Sequence, residues 1–332
     1  MKKTLWMLGA AVAALTSCTQ SEVVEIPEGR VIGFESFVNK ETKAVSTIAA
    51  TNELTHFYVF GANTAVQDPP ANYSTADYTP LYSEAEIVGP AWTHSKSSDE
   101  CAWANNRLYR FAAYTNGNTK CATGVASFDP QEQKLIFTDY EVGDKDLIAC
   151  VTADRETGQD VSSESKVALN FHHMLSRIKF TFHNESTTNR IRIEDITLSI
   201  YNTSTGTIDK DAAIIWNEGA NDRTNKTFEG ATVEVKSQSG DSYQIEHYVI
   251  PQSSVVNVNI TYRTLAADGG VLHTNGSGAG EEVSLAINTN EPWKPGYAYN
   301  YTAGLTSSTK KIQFFVETIS NWQNISPDLN VE

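Results

Sequence analysis

The chain has 332 residues, 20% of them charged and 40% hydrophobic, with a formal net charge of -15. That length accommodates two domains of ordinary size. So acidic a chain repels phosphate backbones and anionic lipid heads, which argues against nucleic acid as a partner.

The first eighteen residues carry the strongest signal. Met1-Lys2-Lys3 is a short positive start, Leu5 to Leu15 is an apolar run, and Leu15-Thr-Ser-Cys18 follows. This is the shape of a secretory signal peptide ending in a lipobox. The run falls short of the about 20 apolar residues that a bilayer span needs. We therefore read residues 1–17 as a signal peptide and Cys18 as the lipidated first residue of the mature protein. An ordinary secretory signal with a chance cysteine is the alternative. Losing Lys2 and Lys3 takes the net charge from -15 to about -17. No second apolar stretch approaches spanning length, so the lipid is the anchor expected, outside the cytoplasm.

Residues 18–43 then form a propeptide containing the strand-like Val31-Ile-Gly-Phe-Glu-Ser-Phe-Val38. Beyond it helical periodicity is nearly absent, and what recurs is period two with β-branched and aromatic residues between turn signals. Strands are expected at Phe57–Phe60, Arg107–Tyr114, Ile178–Phe182, Ile191–Ile193, Ile196–Ile200, Val255–Ile260 and Ile312–Val316. Many short strands with Gly, Asn and Asp turns indicate β-sandwich domains. The polar stretch Asp154–Lys166 is the expected boundary, giving one domain over 44–165 and a second over 166–332. In the last ten residues, Ile325, Pro327, Leu329 and Val331 alternate with polar residues and share one face of an extended chain.

Chemistry-bearing motifs are missing. There is no Gly-x-Ser-x-Gly elbow, no phosphate loop and no His-Glu-x-x-His, and Asn275–Gly280 lacks the helix that phosphate binding requires. His172 and His173 are adjacent, so on a strand they face opposite sides and do not readily share a metal ion. Asp144-Lys-Asp146 lacks the spacing of a calcium loop. Trp92, Trp103, Trp216, Trp293 and Trp322 suit core or edge packing better than sugar stacking. Among the cysteines after Cys18, Cys101 and Cys121 leave room for one bridge, while Cys150 sits in an apolar run and reads as a small buried residue. No cofactor, no metal and no catalytic residue is expected.

Several segments together carry a resemblance. They are Trp103 with Tyr109–Tyr114, Leu135–Tyr140, Asp146–Ala149, Leu169–Phe180, Val249-Ile-Pro-Gln252, Trp293–Tyr301 and Ile312–Trp322. With the lipobox, the order and spacing of these pieces resemble the fimbrillin family, the lipoprotein-derived subunits of Bacteroidetes type V pili, over nearly the whole chain. The resemblance implies an all-β fold of two transthyretin-like β-sandwich domains in tandem. It also implies a subunit exported as a lipoprotein to the outer membrane and cell surface. There a trypsin-like protease cuts after the first strand, that strand leaves, and a strand from a neighbouring pilin fills the vacated groove.

In this chain the leaving strand is Val31–Val38, with Ile32, Phe34, Phe37 and Val38 as its apolar residues. The family often shows Thr-Arg-Ala at the cut, and here Thr42-Lys43-Ala44 stands in that place. The cut is thus expected between Lys43 and Ala44, with Arg30–Val31 as the alternative. Lysine suits a trypsin-like enzyme rather than an arginine-specific one. Ile325, Leu329 and Val331 form the candidate donor strand. The ten residues after Trp322 reach about 33–36 Å at most, which is short for bridging two subunits and favours a minor or tip-proximal subunit over a stalk. The competing reading is a non-polymerising surface lipoprotein that binds glycan or host protein. A simple lipid tether, however, has no use for the apolar side chains of residues 32–38.

Overall fold

The computed structural model describes residues 31–38, 54–67, 73–74, 77–162, 164–184, 189–218, 223–235, 242–253, 256–266, 268–273, 281–287, 292–305 and 315–321. The fold is all-β, with 21 strands among those residues and four sheets. The largest sheet runs in the order β1 (Phe34–Val38), β10 (Val167–His173), β8 (Leu147–Val151), β5 (Arg107–Asn116), β2 (His56–Ala65), β3 (Thr79–Val88) and β4 (Thr93–His94), with β9 (Arg155–Glu156) also paired to β5.

Along β2, β5 and β8 both faces of this sheet are covered. In β2, Phe57 and Val59 point into one core while Tyr58 and Phe60 point into another. In β5, Tyr109, Phe111 and Ala113 take the first core, and Ala112 and Tyr114 the second. Strands buried on both faces read as continuous apolar runs rather than clean alternation. That accounts for Phe57-Tyr-Val-Phe60 and Leu147-Ile-Ala-Cys150. The sheet also curls. Phe34 on β1 lies 5.7 Å from Tyr82 on β3 and 5.9 Å from His94 on β4, although these strands stand at opposite ends of the strand order. The first core fills the inside of that curl.

The second core lies between the outer face of the curled sheet and a four-stranded sheet, β14 (Ile214–Trp216), β13 (Thr203–Asp209), β7 (Lys134–Glu141) and β6 (Ala126–Asp129). From that sheet Leu135, Phe137, Ile208 and Trp216 meet Tyr114, Leu147 and Ala149. Trp216 donates its Nε1–H to the Met174 carbonyl at 2.7 Å.

A third core is enclosed by two further sheets. One is β16 (Ser242–Val249), β11 (Ser176–Asn184), β20 (Tyr297–Leu305) and β21 (Phe315–Asn321). The other is β15 (Thr224–Val235), β12 (Arg190–Ile200), β17 (Val256–Leu265) and β18 (Val271–His273), with β19 (Glu281–Ile287) also on β17. Ile178, Phe180 and Phe182 from the first face Ile191, Ile193, Ile196 and Leu198 from the second. The segments expected as two strands at 191–193 and 196–200 are one strand, β12, with a bulge between Ile193 and Asp195. The bulge breaks the two-residue period, which is why one strand reads as two.

The sheets do not divide at residue 166. β10 hydrogen bonds with β8 and β1, and β13 and β14 join β7 and β6. Nor is 154–166 a linker. Val161 is fully buried in the first core. The Arg155 guanidinium lies 4.5 Å over the Trp103 ring and bonds Glu164 at 2.7 Å and the Ser165 carbonyl at 2.8 Å. Polar composition here reflects a tied-down surface segment whose side chains bond one another, not a free connector.

Candidate functional site

The site is the seat of β1. Sequence places Ile32 and Phe34 two residues apart, so on an extended backbone they share one face, and both are fully buried. Phe34 sits in an aromatic box, with ring centroids 5.7 Å from Tyr82, 5.8 Å from Phe111, 5.9 Å from His94 and 6.4 Å from Phe57. These are edge-to-face contacts, the favoured geometry for aromatic quadrupoles. Burying two such side chains stabilises the docked strand by about 1.5–3 kcal/mol each.

The backbone of β1 is held unequally on its two sides. Towards β10 it forms a five-residue parallel ladder, from Phe34 opposite Val167 to Val38 opposite Phe171. Just ahead of that ladder the Val167 N–H donates to the Gly33 carbonyl at 2.8 Å. On the other side, among the described residues, there is one antiparallel bridge, Val31 to Ala102, with the Ile32 N–H donating to the Cys101 carbonyl at 2.8 Å. The strand thus closes a groove between β10 and the segment at 101–102, with the aromatic core as its floor.

His94 forms part of the wall. It stacks on Tyr82 at 5.4 Å, and its Nε2 is buried with no partner. Burial holds its pKa below the usual histidine value, with nearby Glu100 and Asp99 opposing. The charged imidazolium is therefore disfavoured next to Phe34.

The expected site residues fall out as follows. Ile32 and Phe34 are in the core, while Phe37 and Val38 pair through their backbones with Asn170 and Phe171. Val31 is half-buried at the bridge to Ala102. Cys18, Arg30, Lys43, Ala44, Ile325, Leu329 and Val331 lie outside the described residues, as do Trp322 and 274–280. The Cys101–Cys121 bridge is not formed: both thiols, and that of Cys150, are free. Burial pushes the Cys121 thiol up to about 12 and raises Cys101 and Cys150 as well, so all three are poor nucleophiles at neutral pH. His173 is a structural residue, with Nδ1 2.6 Å from Asp146 Oδ2. Trp103, Trp216 and Trp293 are buried. Sequence reading missed the walls of the seat. Val167, Leu169 and Phe171 alternate visibly, but nothing local says that their partner is a parallel strand about 130 residues earlier.

Comparison with known proteins follows this architecture. A fimbrial protein from Bacteroides vulgatus superimposes with a TM-score of 0.61 at 18% identity, covering 88% of this chain and 99% of its own. A candidate cell adhesion protein from Bacteroides uniformis gives 0.51 at 14% identity, covering 89% of this chain and 100% of its own. At these identities the likeness is one of fold. No curated protein matches the sequence. The family model described as Fimbrillin-like matches residues 42–322, most of the chain, and the protein is thus a member of the fimbrillin-like family.

Proposed function

We propose that the protein is a structural or adhesive subunit of a cell-surface pilus, assembled by β-strand exchange after removal of β1. The observation that carries this reading is the seat of β1: a strand segment that buries Ile32 and Phe34 fully, fixed among the described residues by a five-residue ladder on one side and one bridge on the other. If that strand leaves, the rings of Phe57, Tyr82 and Phe111 and the backbone edge of β10 become exposed together. Such a groove has both ingredients of strand addition: backbone partners for affinity and pockets for alternate side chains. Family membership and the fimbrial fold relative support the same role. The reading includes lipid attachment at Cys18, cleavage at Lys43 by a trypsin-like surface protease, location at the cell outer membrane, and a minor or tip-proximal place in the fibre. The chemistry is non-covalent, and no catalytic role is assigned.

The test is limited trypsin treatment of the purified chain. Cleavage between Lys43 and Ala44 followed by loss of residues 31–38 and appearance of oligomers is the expected result. Lys43→Ala should leave the chain intact at that bond and monomeric. Oligomers of equal yield from uncut Lys43→Ala protein would refute strand removal as the trigger.

A further inference from the structure

The large sheet is open at one seam. Between β8–β9, β10 and the β13–β14 turn lies a cleft of about 520 Å³, with Val151, Thr152, Ala168 and Asn170 in its strand walls and Asp209, Lys210 and Ala212 on the turn side. β10 pairs with β8 only at His172–Ala149 and His173–Ile148, and its first five residues pair with β1 instead.

Backbone direction settles what faces the gap. The Val167 N–H donates to Gly33 on the β1 side. By the two-residue alternation of a strand, Ala168 and Asn170 turn their N–H and C=O groups the other way, towards β8. On the opposite wall the Thr152 N–H donates to the Phe111 carbonyl at 2.9 Å, so Val151 turns its groups towards β10. Extending the antiparallel register from His172–Ala149 sets Phe171 opposite Cys150 and Asn170 opposite Val151. Beyond that point β8 and β9 carry an extra residue relative to β5: Ala112 faces Val151, yet Tyr109 faces Arg155. Such a bulge ends regular pairing.

β1 ties β10, through five ladder positions, to the bridge at Ala102 on the far side of the groove. β10 cannot approach β8 without drawing β1 off that bridge or breaking the ladder. We propose that β10 has two positions: held off β8 while β1 is docked, and zipped onto β8 through Asn170 and Val151, narrowing the cleft, when β1 leaves. This rests on the reading of β1 as a removable strand. A strand entering the vacated seat pulls β10 back and reopens the seam, so occupancy of the groove is reported at the opposite edge of β10.

A cysteine pair tests it in the full chain. In the zipped state Val151→Cys and Asn170→Cys face each other as a hydrogen-bonded pair about 5.5 Å apart at Cα, within disulfide span. The 151–170 crosslink is followed under mild oxidant by peptide mass spectrometry, which separates it from native cysteines. It should form at least about 10-fold faster when Phe34→Ala or Phe34→Leu loosens β1. Conversely, the locked protein with unaltered β1 should exchange amide hydrogens of residues 34–38 at least about 10-fold faster. Equal crosslinking rates with and without the Phe34 substitutions overturn the proposal, and so does unchanged exchange at 34–38 in the locked protein. Should Phe34→Ala fail to fold, Phe34→Leu and the exchange measurement decide. Trypsin-dependent oligomerisation is scored separately. Oligomers without the β1–β10 coupling sink this inference alone, and coupling without oligomers sinks the strand-exchange reading alone.

Discussion

Phe34 is the residue on which the seat of β1 is built. Four aromatic rings surround it and no solvent reaches it. Truncating a buried Phe to Ala costs about 3–5 kcal/mol. Phe34→Ala should lower the denaturation free energy of the full chain by that order relative to the parent. Denaturant melts of parent and variant check this. Two histidines set a pH dependence. Burial depresses His94, and burial together with nearby Lys226 pulls His247 down to about 4. A histidine whose folded pKa lies below its unfolded value binds protons more readily in the unfolded chain, so stability rises with pH. The contribution is complete above about 6.5 and is lost as pH falls from there through the folded pKa. Thermal midpoints should therefore drop between pH 6.5 and 4 beyond the fall due to carboxylates. His247→Gln should flatten that slope. His94→Phe keeps the ring against Tyr82 and removes the proton site, so β1 should be retained better near pH 5 than in the parent. An unchanged slope in both variants would show that neither histidine drives the effect.

At the level of elements, bulges decide how strands meet. Along β2, Val59 faces Ala85 and Gly61 faces Tyr82, so β3 has one extra residue there. Glu84 takes it up in the left-handed region, at φ 57°. That conformation turns its carboxylate to accept from the Tyr114 hydroxyl at 2.7 Å and to pair with Lys120. Gly61 is needed opposite: a Cβ there would sit 2.7 Å from Tyr82 Cδ2 and 2.9 Å from Phe111 Cδ1. Those are two of the rings around Phe34. Gly61→Val should destabilise the chain by about 1–3 kcal/mol through overpacking, and should also speed amide exchange across residues 34–38. Loss of stability without faster exchange in β1 would separate the bulge from the seat.

The whole molecule is two layered β-assemblies interleaved along the chain. The curled sheet and the sheet of β6, β7, β13 and β14 enclose two cores, and the remaining sheets enclose the third. The hairpin of β13 and β14 leaves one assembly to complete the other, and Trp216 fixes it there by its bond to the Met174 carbonyl. Unfolding of either assembly should therefore disturb the other, and a single cooperative transition is expected from tryptophan fluorescence and circular dichroism. At the cellular scale, Cys18→Ala should release unprocessed or soluble protein from membranes, since stable anchoring needs more than one acyl chain. Membrane partition unchanged after processing would dismiss the lipid anchor. Deleting residues 324–332 tests the place in the fibre. A tip-proximal subunit should still enter fibres at normal efficiency, whereas arrest of fibre growth by a folded truncation would identify the tail as a donor strand.

Strand identity in this protein is a local property, and the sequence determines it. Phe57–Phe60, Arg107–Tyr114 and Ile178–Phe182 all lie in strands, because period-two patterns and apolar runs arise from which faces a strand buries. The apolar content of residues 32–38 likewise marks a segment that needs a seat. What tertiary structure alone decides is pairing. The parallel union of β1 with β10 joins residues about 130 positions apart, and the return of β13 to β7 crosses the boundary that composition suggests. Backbone hydrogen bonds are the same for every residue type but proline, so they leave almost no mark on composition. Partner choice rests on closing the first core around Phe34 and the second around Trp216, and that requirement exists only once distant strands have come together.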